Sequence, residues 1–91
     1  MPFVYMLRCA DDSLYTGIAL DVERRLREHA LGRASRFTRA RRPVVLVWTR
    51  RVRSWSVALR TEHRIKQLTR AGKLQLVTTG RLPRTKISRK P

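Results

Sequence analysis

The chain has 91 residues, of which 22 are Lys or Arg and only 6 are Asp or Glu, so its formal net charge is +16 at pH 7. This length allows one domain, and the 42% of apolar residues suffice for one small core. The charge excludes a calcium buffer and a mimic of an acidic substrate. It favours a polyanion as partner, with nucleic acid ahead of an anionic membrane.

The apolar and cysteine patterns predict a cytoplasmic protein. The longest apolar run, residues 44–48, is far shorter than the roughly 20 residues of a membrane span. A secretory signal is not visible, because the first residues lack a basic segment and reach Arg8 too soon. Cys9 is the single cysteine, which excludes an internal disulfide and a cysteine-rich zinc site. These features fit a reducing cytosol.

A β-hairpin is predicted at the start of the chain. Residues 3–9 and 14–18 are rich in aromatic and β-branched side chains, and residues 10–13 between them have the composition of a turn.

The register of this hairpin is left open by the sequence. A two-residue loop would place Tyr5 and Tyr15 on opposite faces, whereas a three-residue loop over residues 11–13 would place them on the same face. Gly17, inside the second strand, indicates that another group approaches the backbone closely.

The next element is a helix, followed by an irregular segment. Asp21 is a good N-cap, and apolar residues at four-residue spacing predict a helix over residues 22–31 that stops at Gly32. The arginine-rich stretch over residues 32–42 has no periodicity, so we expect a loop there.

One more strand and two more helices complete the predicted domain. A buried strand is expected from Pro43 through Trp48 or a little beyond, and a helix capped by Ser54 or Ser56 after it. Thr69 caps a third helix over residues 70–79.

The order β-β-α-β-α-α predicts an α+β fold, a three-stranded antiparallel sheet flanked by helices. Residues 1–80 would form the domain, and residues 81–91 a basic, flexible tail.

Among the six carboxylates, Glu62 is the one that a role as an ordinary surface residue explains least well. It follows Ala58 by four residues and precedes Ile65 by three, so it shares their apolar helix face. Burial of an unpaired carboxylate costs several kcal/mol. Glu62 therefore needs a cation, either an arginine or a divalent metal.

The first predicted helix carries Arg25 and His29 beside its apolar stripe. Arg25 either spreads its aliphatic stem over apolar surface or holds a phosphate with its planar guanidinium. His29 is either a hydrogen-bonded packing residue or part of a site. Tyr5 and Tyr15, the only two tyrosines, are sheet aromatics when each is considered alone.

The arginine-rich stretch is either a solvated loop or a clamp on a nucleic-acid backbone. Its Phe37 would lie in the core or stack on a base. The candidate DNA-binding residues are Arg33, Arg36, Arg39, Arg41 and Arg42.

In combination, these residues resemble the motifs of the GIY-YIG nuclease superfamily, especially its small single-domain bacterial members. The likeness covers about residues 3–76 and includes Leu14-Tyr15-Thr16-Gly17-Ile18, Asp21-Val22-Glu23-Arg24-Arg25-Leu26 and Ala58-Leu59-Arg60-Thr61-Glu62. The chain departs from the pattern in its first motif, Phe3-Val4-Tyr5, which lacks the glycine, and at Thr16, where isoleucine is usual. It also has no counterpart of a late asparagine.

The resemblance implies a role for each of five residues. Tyr5 ends the first motif and Tyr15 begins the second. Arg25 matches the helix arginine of the family, His29 its frequent downstream histidine, and Glu62 the acidic ligand of a single divalent ion.

The implied reaction is hydrolysis of DNA phosphodiester bonds with one Mg²⁺ or Mn²⁺ ion. A metal on Glu62 would polarise a phosphate oxygen, and Arg25 would neutralise charge on the phosphate. Tyr5 would act as general base with Tyr15 assisting, while His29 accepts or relays the proton. This needs a tyrosine pKa well below the usual value of about 10, a shift that positive surroundings favour.

The expected protein is an endonuclease of DNA repair or processing in the bacterial cytosol or nucleoid, guided by DNA structure or weakly sequence-specific. DNA is the expected partner and RNA the second candidate, with a protein partner as one source of specificity and the oligomeric state open. The alternative is an inactive, basic nucleic-acid-binding module on the same fold. A ribosome-associated structural protein is a third reading that only the charge favours.

Overall fold

The predicted hairpin is present in the computed structural model of the chain, which describes residues 1–82. Strand β1 spans Phe3–Arg8 and strand β2 spans Leu14–Ala19, and the two pair in antiparallel fashion.

The hairpin loop consists of Ala10, Asp11 and Asp12. The backbone N–H of Cys9 donates to the carbonyl of Ser13 at 2.9 Å, and the N–H of Asp12 donates to the carbonyl of Cys9 at 2.9 Å. Asp12 has a φ of 68°, a left-handed conformation that Asp tolerates better than most residues. The loop thus has three residues but lies one position earlier than residues 11–13.

This shift moves the strand register by two residues, which keeps every side chain on its face. Tyr5 pairs with Gly17, and Leu7 pairs with Tyr15. Tyr5 and Tyr15 therefore lie on the same face of the sheet, as the three-residue alternative requires.

A third strand, β3, completes the sheet in the order β2-β1-β3, antiparallel as predicted. It spans Val45–Arg51, so it starts two residues later than predicted and ends a little beyond Trp48, as the prediction allowed. Pro43 has no N–H for the ladder. At the other end, pairing of Arg50 and Arg51 with β1 extends the strand beyond its apolar part.

The helices α1 to α4 span, in chain order, Val22–Ala30, Arg36–Arg39, Trp55–Lys66 and Arg70–Thr79. The side chains of Asp21, Ser54 and Thr69 cap α1, α3 and α4 as predicted. Residues 32–42 are not wholly irregular, because Ser35 caps the single turn of α2 by accepting from the N–H of Thr38 at 3.1 Å.

The sheet has a buried cluster on each face. Helices α3 and α4 cover one face, with a core of Val4, Met6, Trp48, Val52, Ala58, Ile65 and Leu76. Helix α1 covers the other face, where Leu26 and Tyr15 pack against Tyr5, Leu7 and Ala19. Strand β2 is an edge strand of the sheet. At this edge, residues of α1 and the first residue of α3 line one cleft.

The predicted tail over residues 81–91 lies, from residue 83 onward, outside the described residues. Among the helices of residues 1–82, none has the length and apolar character needed to cross a membrane.

Candidate active site

Three rings from separate elements meet on the α1 side of the sheet. The ring centroids of Tyr5 and Tyr15 are 6.4 Å apart, and those of Tyr5 and His29 are 5.8 Å apart. The Tyr15 and His29 rings are 5.3 Å apart. The fold thus brings together three of the residues singled out from the sequence.

Gly17 makes room for the hydroxyl end of Tyr5. A Cβ atom at Gly17 would lie 2.5 Å from the Tyr5 hydroxyl oxygen and 2.7 Å from its Cζ. The predicted close approach to the Gly17 backbone is therefore confirmed, and the approaching group is the phenol ring of its cross-strand partner.

A chain of buried hydrogen bonds runs from Tyr5 to α2. The Tyr5 hydroxyl lies 2.8 Å from Nε2 of His29, and Nδ1 of His29 lies 2.7 Å from Oγ1 of Thr38. Oγ1 of Thr38 in turn lies 2.9 Å from Oγ of Ser35. Tyr5 is 2% exposed, and His29 and Thr38 are fully buried. Water therefore does not satisfy these groups, and each depends on its protein partner.

The protonation of Tyr5 differs from the sequence-based expectation. Burial raises the pKa of the Tyr5 hydroxyl above its ordinary value of 10.0, and the charges of Tyr15, Glu62 and Glu28 raise it further. Arg25 lowers this pKa but does not outweigh them. Desolvation of the charged form therefore dominates over the positive surroundings, and Tyr5 is a neutral phenol at physiological pH.

His29 is held in its neutral form. Burial lowers the pKa of its imidazole below 6.5 and Arg25 lowers it further, while Glu28 acts in the opposite direction. If Tyr5 donates to Nε2, the neutral imidazole of His29 carries its proton on Nδ1 and donates it to Thr38. Thr38 can then donate to the carbonyl of Ser35 at 3.4 Å. This arrangement satisfies every polar group of the chain of hydrogen bonds.

Arg25 lies on the wall of an open cleft of about 340 Å³ between the end of β2, α1 and the start of α3. Its side chain is 38% exposed, and Nη1 lies 3.4 Å from Oε1 of Glu28. Arg24 contacts the other oxygen of Glu28 at 3.5 Å. Both arginines are thus near the cleft, held by one shared carboxylate.

Glu62 lies on α3 between two fully buried residues, Ala58 and Ile65. Its own side chain is only 22% exposed, and it forms an ion pair with Nζ of Lys66 at 3.4 Å. The predicted shared face with apolar residues is confirmed. The predicted need for a cation is met by a lysine one turn further along the same helix.

Glu62 fits the chemistry of a single magnesium ligand. Its negative charge contributes to the raised pKa of the Tyr5 hydroxyl. Among residues 1–82 there is no group of three or more His, Cys, Asp or Glu side chains that could hold a metal alone. Mg²⁺ suits such a setting, because it commonly binds through one or two carboxylates and completes its shell with water and substrate phosphate.

The five candidate DNA-binding arginines divide into two groups. Arg33, Arg36 and Arg39 line a second open cleft of about 480 Å³ beside α2. Arg41 and Arg42 make contacts within the protein.

Those internal contacts hold the α2 segment in place. Nε of Arg41 lies 3.1 Å from Oδ2 of Asp11, and its Nη1 donates to the carbonyl of Phe37 at 3.1 Å. Arg42 donates to the carbonyls of Arg39 and Ala30, both at 3.2 Å.

Phe37 does not lie in the core, which was one of the two positions considered from the sequence. It is 39% exposed. Its ring stacks on Tyr15 with centroids 6.0 Å apart, and the guanidinium of Arg41 lies 3.9 Å above its centroid. Phe37 thus connects the arginine-rich segment to the ring cluster.

The sequence reasoning missed Ser35 and Thr38, which belong to this site. A signal was available, because Ser is a favoured N-cap residue. Its side chain accepts from the backbone N–H three residues later, which here belongs to Thr38. It also missed Trp55, which lines the Arg25 cleft. The start of α3 was predicted, but its closeness to α1 depends on the tertiary fold.

Comparison with known proteins identifies the family of the chain. The model of the GIY-YIG catalytic domain matches residues 1–75. A UPF0213 protein of Natronomonas pharaonis is 52% identical over 75 residues, which cover 82% of this chain and 88% of the relative. The UPF0213 protein YhbQ of Escherichia coli is 45% identical over 78 residues, covering 86% of this chain and 78% of YhbQ.

A solved structure extends the similarity to the fold. The solution NMR structure of the UPF0213 protein BH0048 from Bacillus halodurans has 40% sequence identity and a TM-score of 0.58, covering 99% of this chain and all of that chain. Sequence, fold and ring cluster lead to one assignment: this chain is a member of the GIY-YIG nuclease superfamily.

Proposed function

We propose that this protein is a divalent-metal-dependent endonuclease that hydrolyses DNA phosphodiester bonds in DNA repair or processing. The observation that carries the proposal is the contact among the rings of Tyr5, Tyr15 and His29. Tyr5 and Tyr15 are in ring contact, and the charges of Arg25 and Glu62 both act on the Tyr5 hydroxyl. A module that only binds DNA has no need of a half-buried carboxylate in a protein of net charge +16.

Arg25 is the group that receives the scissile phosphate. Its guanidinium borders the cleft, where it contacts the carboxylate of Glu28 at 3.4 Å. A phosphate offers a bidentate, fully charged partner in place of a loose contact with a carboxylate that Arg24 shares. In this position Arg25 neutralises charge that develops on the non-bridging oxygens.

Tyr5 and His29 move the proton of the attacking water. A neutral Tyr5 is too weak a base to hold that proton while it keeps its own. Its hydroxyl oxygen accepts the proton from water as its own proton passes to Nε2 of His29, 2.8 Å away. His29 is neutral and can accept it, and Nδ1 stays bonded to Thr38. Tyr15 borders both rings and assists by orienting the reacting groups.

Glu62 is the residue that would hold the metal, Mg²⁺ or Mn²⁺. A bound ion supplies Lewis-acid polarisation of a phosphate oxygen and stabilises the leaving 3′ oxygen. On binding such an ion, Glu62 would give up its ion pair with Lys66.

The arginine cleft beside α2 holds the DNA backbone away from the scissile linkage. Arg33, Arg36 and Arg39 line this cleft with their positive charges. Contacts with phosphate carry no sequence information. This arrangement favours an enzyme guided by DNA shape or by a protein partner over one that reads base sequence.

A cleavage assay tests the proposal. The full chain is incubated with branched, nicked, single-stranded and duplex DNA in Mg²⁺ or Mn²⁺, with EDTA as the metal-free control. Arg25→Ala and Arg25→Lys are assayed alongside. The proposal predicts metal-dependent cleavage of at least one substrate, a loss of about 100-fold or more in Arg25→Ala, and a partial loss in Arg25→Lys. Cleavage that persists in Arg25→Ala at the wild-type rate contradicts it.

An inactive DNA-binding module is the second candidate. Two observations favour it: the raised pKa of Tyr5 and the ion pair between Glu62 and Lys66. Under this alternative, the same assay gives tight DNA binding without cleavage of any substrate in either metal.

A further inference from the structure

We infer that Trp55 is a stacking platform for an unpaired nucleobase next to the phosphate held by Arg25. Trp55 is the first residue of α3 and lines the cleft that Arg25 borders. The inference rests on the proposed function in one respect, namely that a DNA phosphate occupies Arg25.

The indole of Trp55 is 50% exposed, which is unusual for the largest apolar side chain. Trp48, the other tryptophan, is 8% exposed, and Arg50 lies 5.4 Å above its ring. Within residues 1–82, no aromatic ring or guanidinium is stacked on Trp55. Its ring is therefore available to a ligand.

The surroundings of Trp55 favour a nucleotide as that ligand. Arg24 and Arg25 line the same cleft from α1, beside Asp21 and the Glu28 carboxylate that both arginines contact, so one wall carries two guanidiniums in loose ion pairs and the other is aromatic. A nucleotide has both matching parts, a phosphate and a flat base. An apolar protein side chain would match Trp55 but offer the arginines nothing beyond the Glu28 carboxylate that they already share.

The base must be unpaired to stack on Trp55. In a duplex both faces of a base are covered by its neighbours, so a side chain at the cleft wall reaches a base face only where stacking is interrupted. Aromatic stacking of this kind is tolerant of base identity, because every base has a π-face. The structure thus points to single-stranded gaps, flaps or branch points as the preferred substrate class.

The test measures DNA affinity without metal, so it does not depend on cleavage. Labelled DNAs of equal length are titrated in EDTA: a paired duplex, the same duplex with a short single-stranded gap, and the gapped duplex with abasic sites in the gap. The proteins are wild type, Trp55→Ala, Trp55→Phe and Leu74→Ala. Leu74 is a matched control, because it is 42% exposed on α4, away from the cleft.

The inference predicts a loss of affinity that requires bases. Trp55→Ala binds the gapped DNA about 10-fold more weakly than wild type does. On the duplex and on the abasic gap, its affinity equals that of wild type. Trp55→Phe retains part of the difference, Leu74→Ala shows none, and tryptophan emission is quenched by the gapped DNA only when Trp55 is present.

Two outcomes would overturn it: equal weakening on all three DNAs, or no weakening on the gapped one. Either result leaves the endonuclease proposal intact if the wild type cleaves DNA. If Trp55→Ala loses affinity only for DNA with bases in the gap, but the wild type cleaves no DNA, Trp55 is still a nucleobase site and the endonuclease proposal is wrong.

Discussion

The hydroxyl oxygen of Tyr5 lies 2.8 Å from Nε2 of His29, although the two residues are 24 positions apart on a strand and a helix. This contact ties α1 to the centre of the sheet and joins a buried phenol to a neutral imidazole. The other ring nitrogen of His29, Nδ1, contacts Oγ1 of Thr38. The proton path proposed for catalysis and the packing of α1 therefore share the same hydrogen bonds.

Thr38→Val removes the partner of Nδ1 while it preserves the side-chain shape. We expect a loss of about 1–3 kcal/mol in the free energy of unfolding, because a buried N–H is left without an acceptor. Thr38→Ser keeps the hydroxyl and should restore most of the stability. Nitrogen NMR shifts of His29 report the tautomer: wild type and Thr38→Ser should have the proton on Nδ1, and Thr38→Val should shift the proton toward Nε2. An unchanged tautomer in Thr38→Val would argue against donation from Nδ1 of His29 to Thr38.

Gly17→Ala should damage the site through contact with Tyr5. The added Cβ would lie 2.5 Å from the phenol oxygen, so the ring or the strand must move. We expect a loss of about 1–3 kcal/mol of stability from this overpacking, measured by chemical unfolding, and a strong loss of cleavage. In the Tyr5→Phe background the stability loss should shrink, since the closest atom is absent. Equal losses in both backgrounds would point to a cause other than the phenol.

The stability of the protein should fall at both ends of the pH range. Because the pKa of His29 is lowered in the folded state, the unfolded chain binds an additional proton once the pH drops below 6.5. Because the pKa of Tyr5 is raised, the unfolded chain loses its phenol proton first once the pH rises above 10.0. Unfolding titrations measure both effects. His29→Gln should remove the loss of stability at acidic pH, and Tyr5→Phe the loss at alkaline pH. If these variants keep the wild-type dependence of stability on pH, the two residues are not its source.

The two arginine groups should respond differently to neutralisation. Changing Arg33, Arg36 or Arg39 to Gln should weaken DNA binding on all sequences alike and reduce the slope of log affinity against log salt by about 1 each. Arg41→Gln should instead lower the melting temperature, because it loses the contacts with Asp11 and Phe37. Salt titrations and thermal unfolding separate these outcomes. A full salt-slope change in Arg41→Gln would place it with the DNA-binding group.

Local signals in the sequence predicted most of the fold. The capping residues Asp21, Ser54 and Thr69 marked three helix starts correctly, since an N-cap acts within one turn. The single turn of α2 was missed because four residues are too few to show helical periodicity. The hairpin register stayed open because several loop lengths suit the same Asp-rich turn, and hydrogen bonding by Cys9 decides it.

The site was only partly predictable for a different reason. Family resemblance indicated Tyr5, Tyr15 and His29, and the fold brings their rings together. The protonation of Tyr5 could not be inferred from net charge, because burial by non-local packing has the larger effect on its pKa. The partner of Glu62, by contrast, had a local signal, because Lys66 follows it by four residues on α3, a spacing at which helix side chains pair.

The central claim is that Glu62 serves catalysis at the Tyr5 site and not DNA binding. Glu62→Gln tests it most directly, with Glu23→Gln on the first turn of α1 as the matched carboxylate control. Single-turnover cleavage in saturating Mg²⁺ is measured beside DNA affinity in EDTA. We expect Glu62→Gln to lose cleavage about 100-fold or more, to bind DNA as tightly as wild type or more tightly, and Glu23→Gln to retain cleavage. Wild-type cleavage by Glu62→Gln would contradict a catalytic role for this carboxylate.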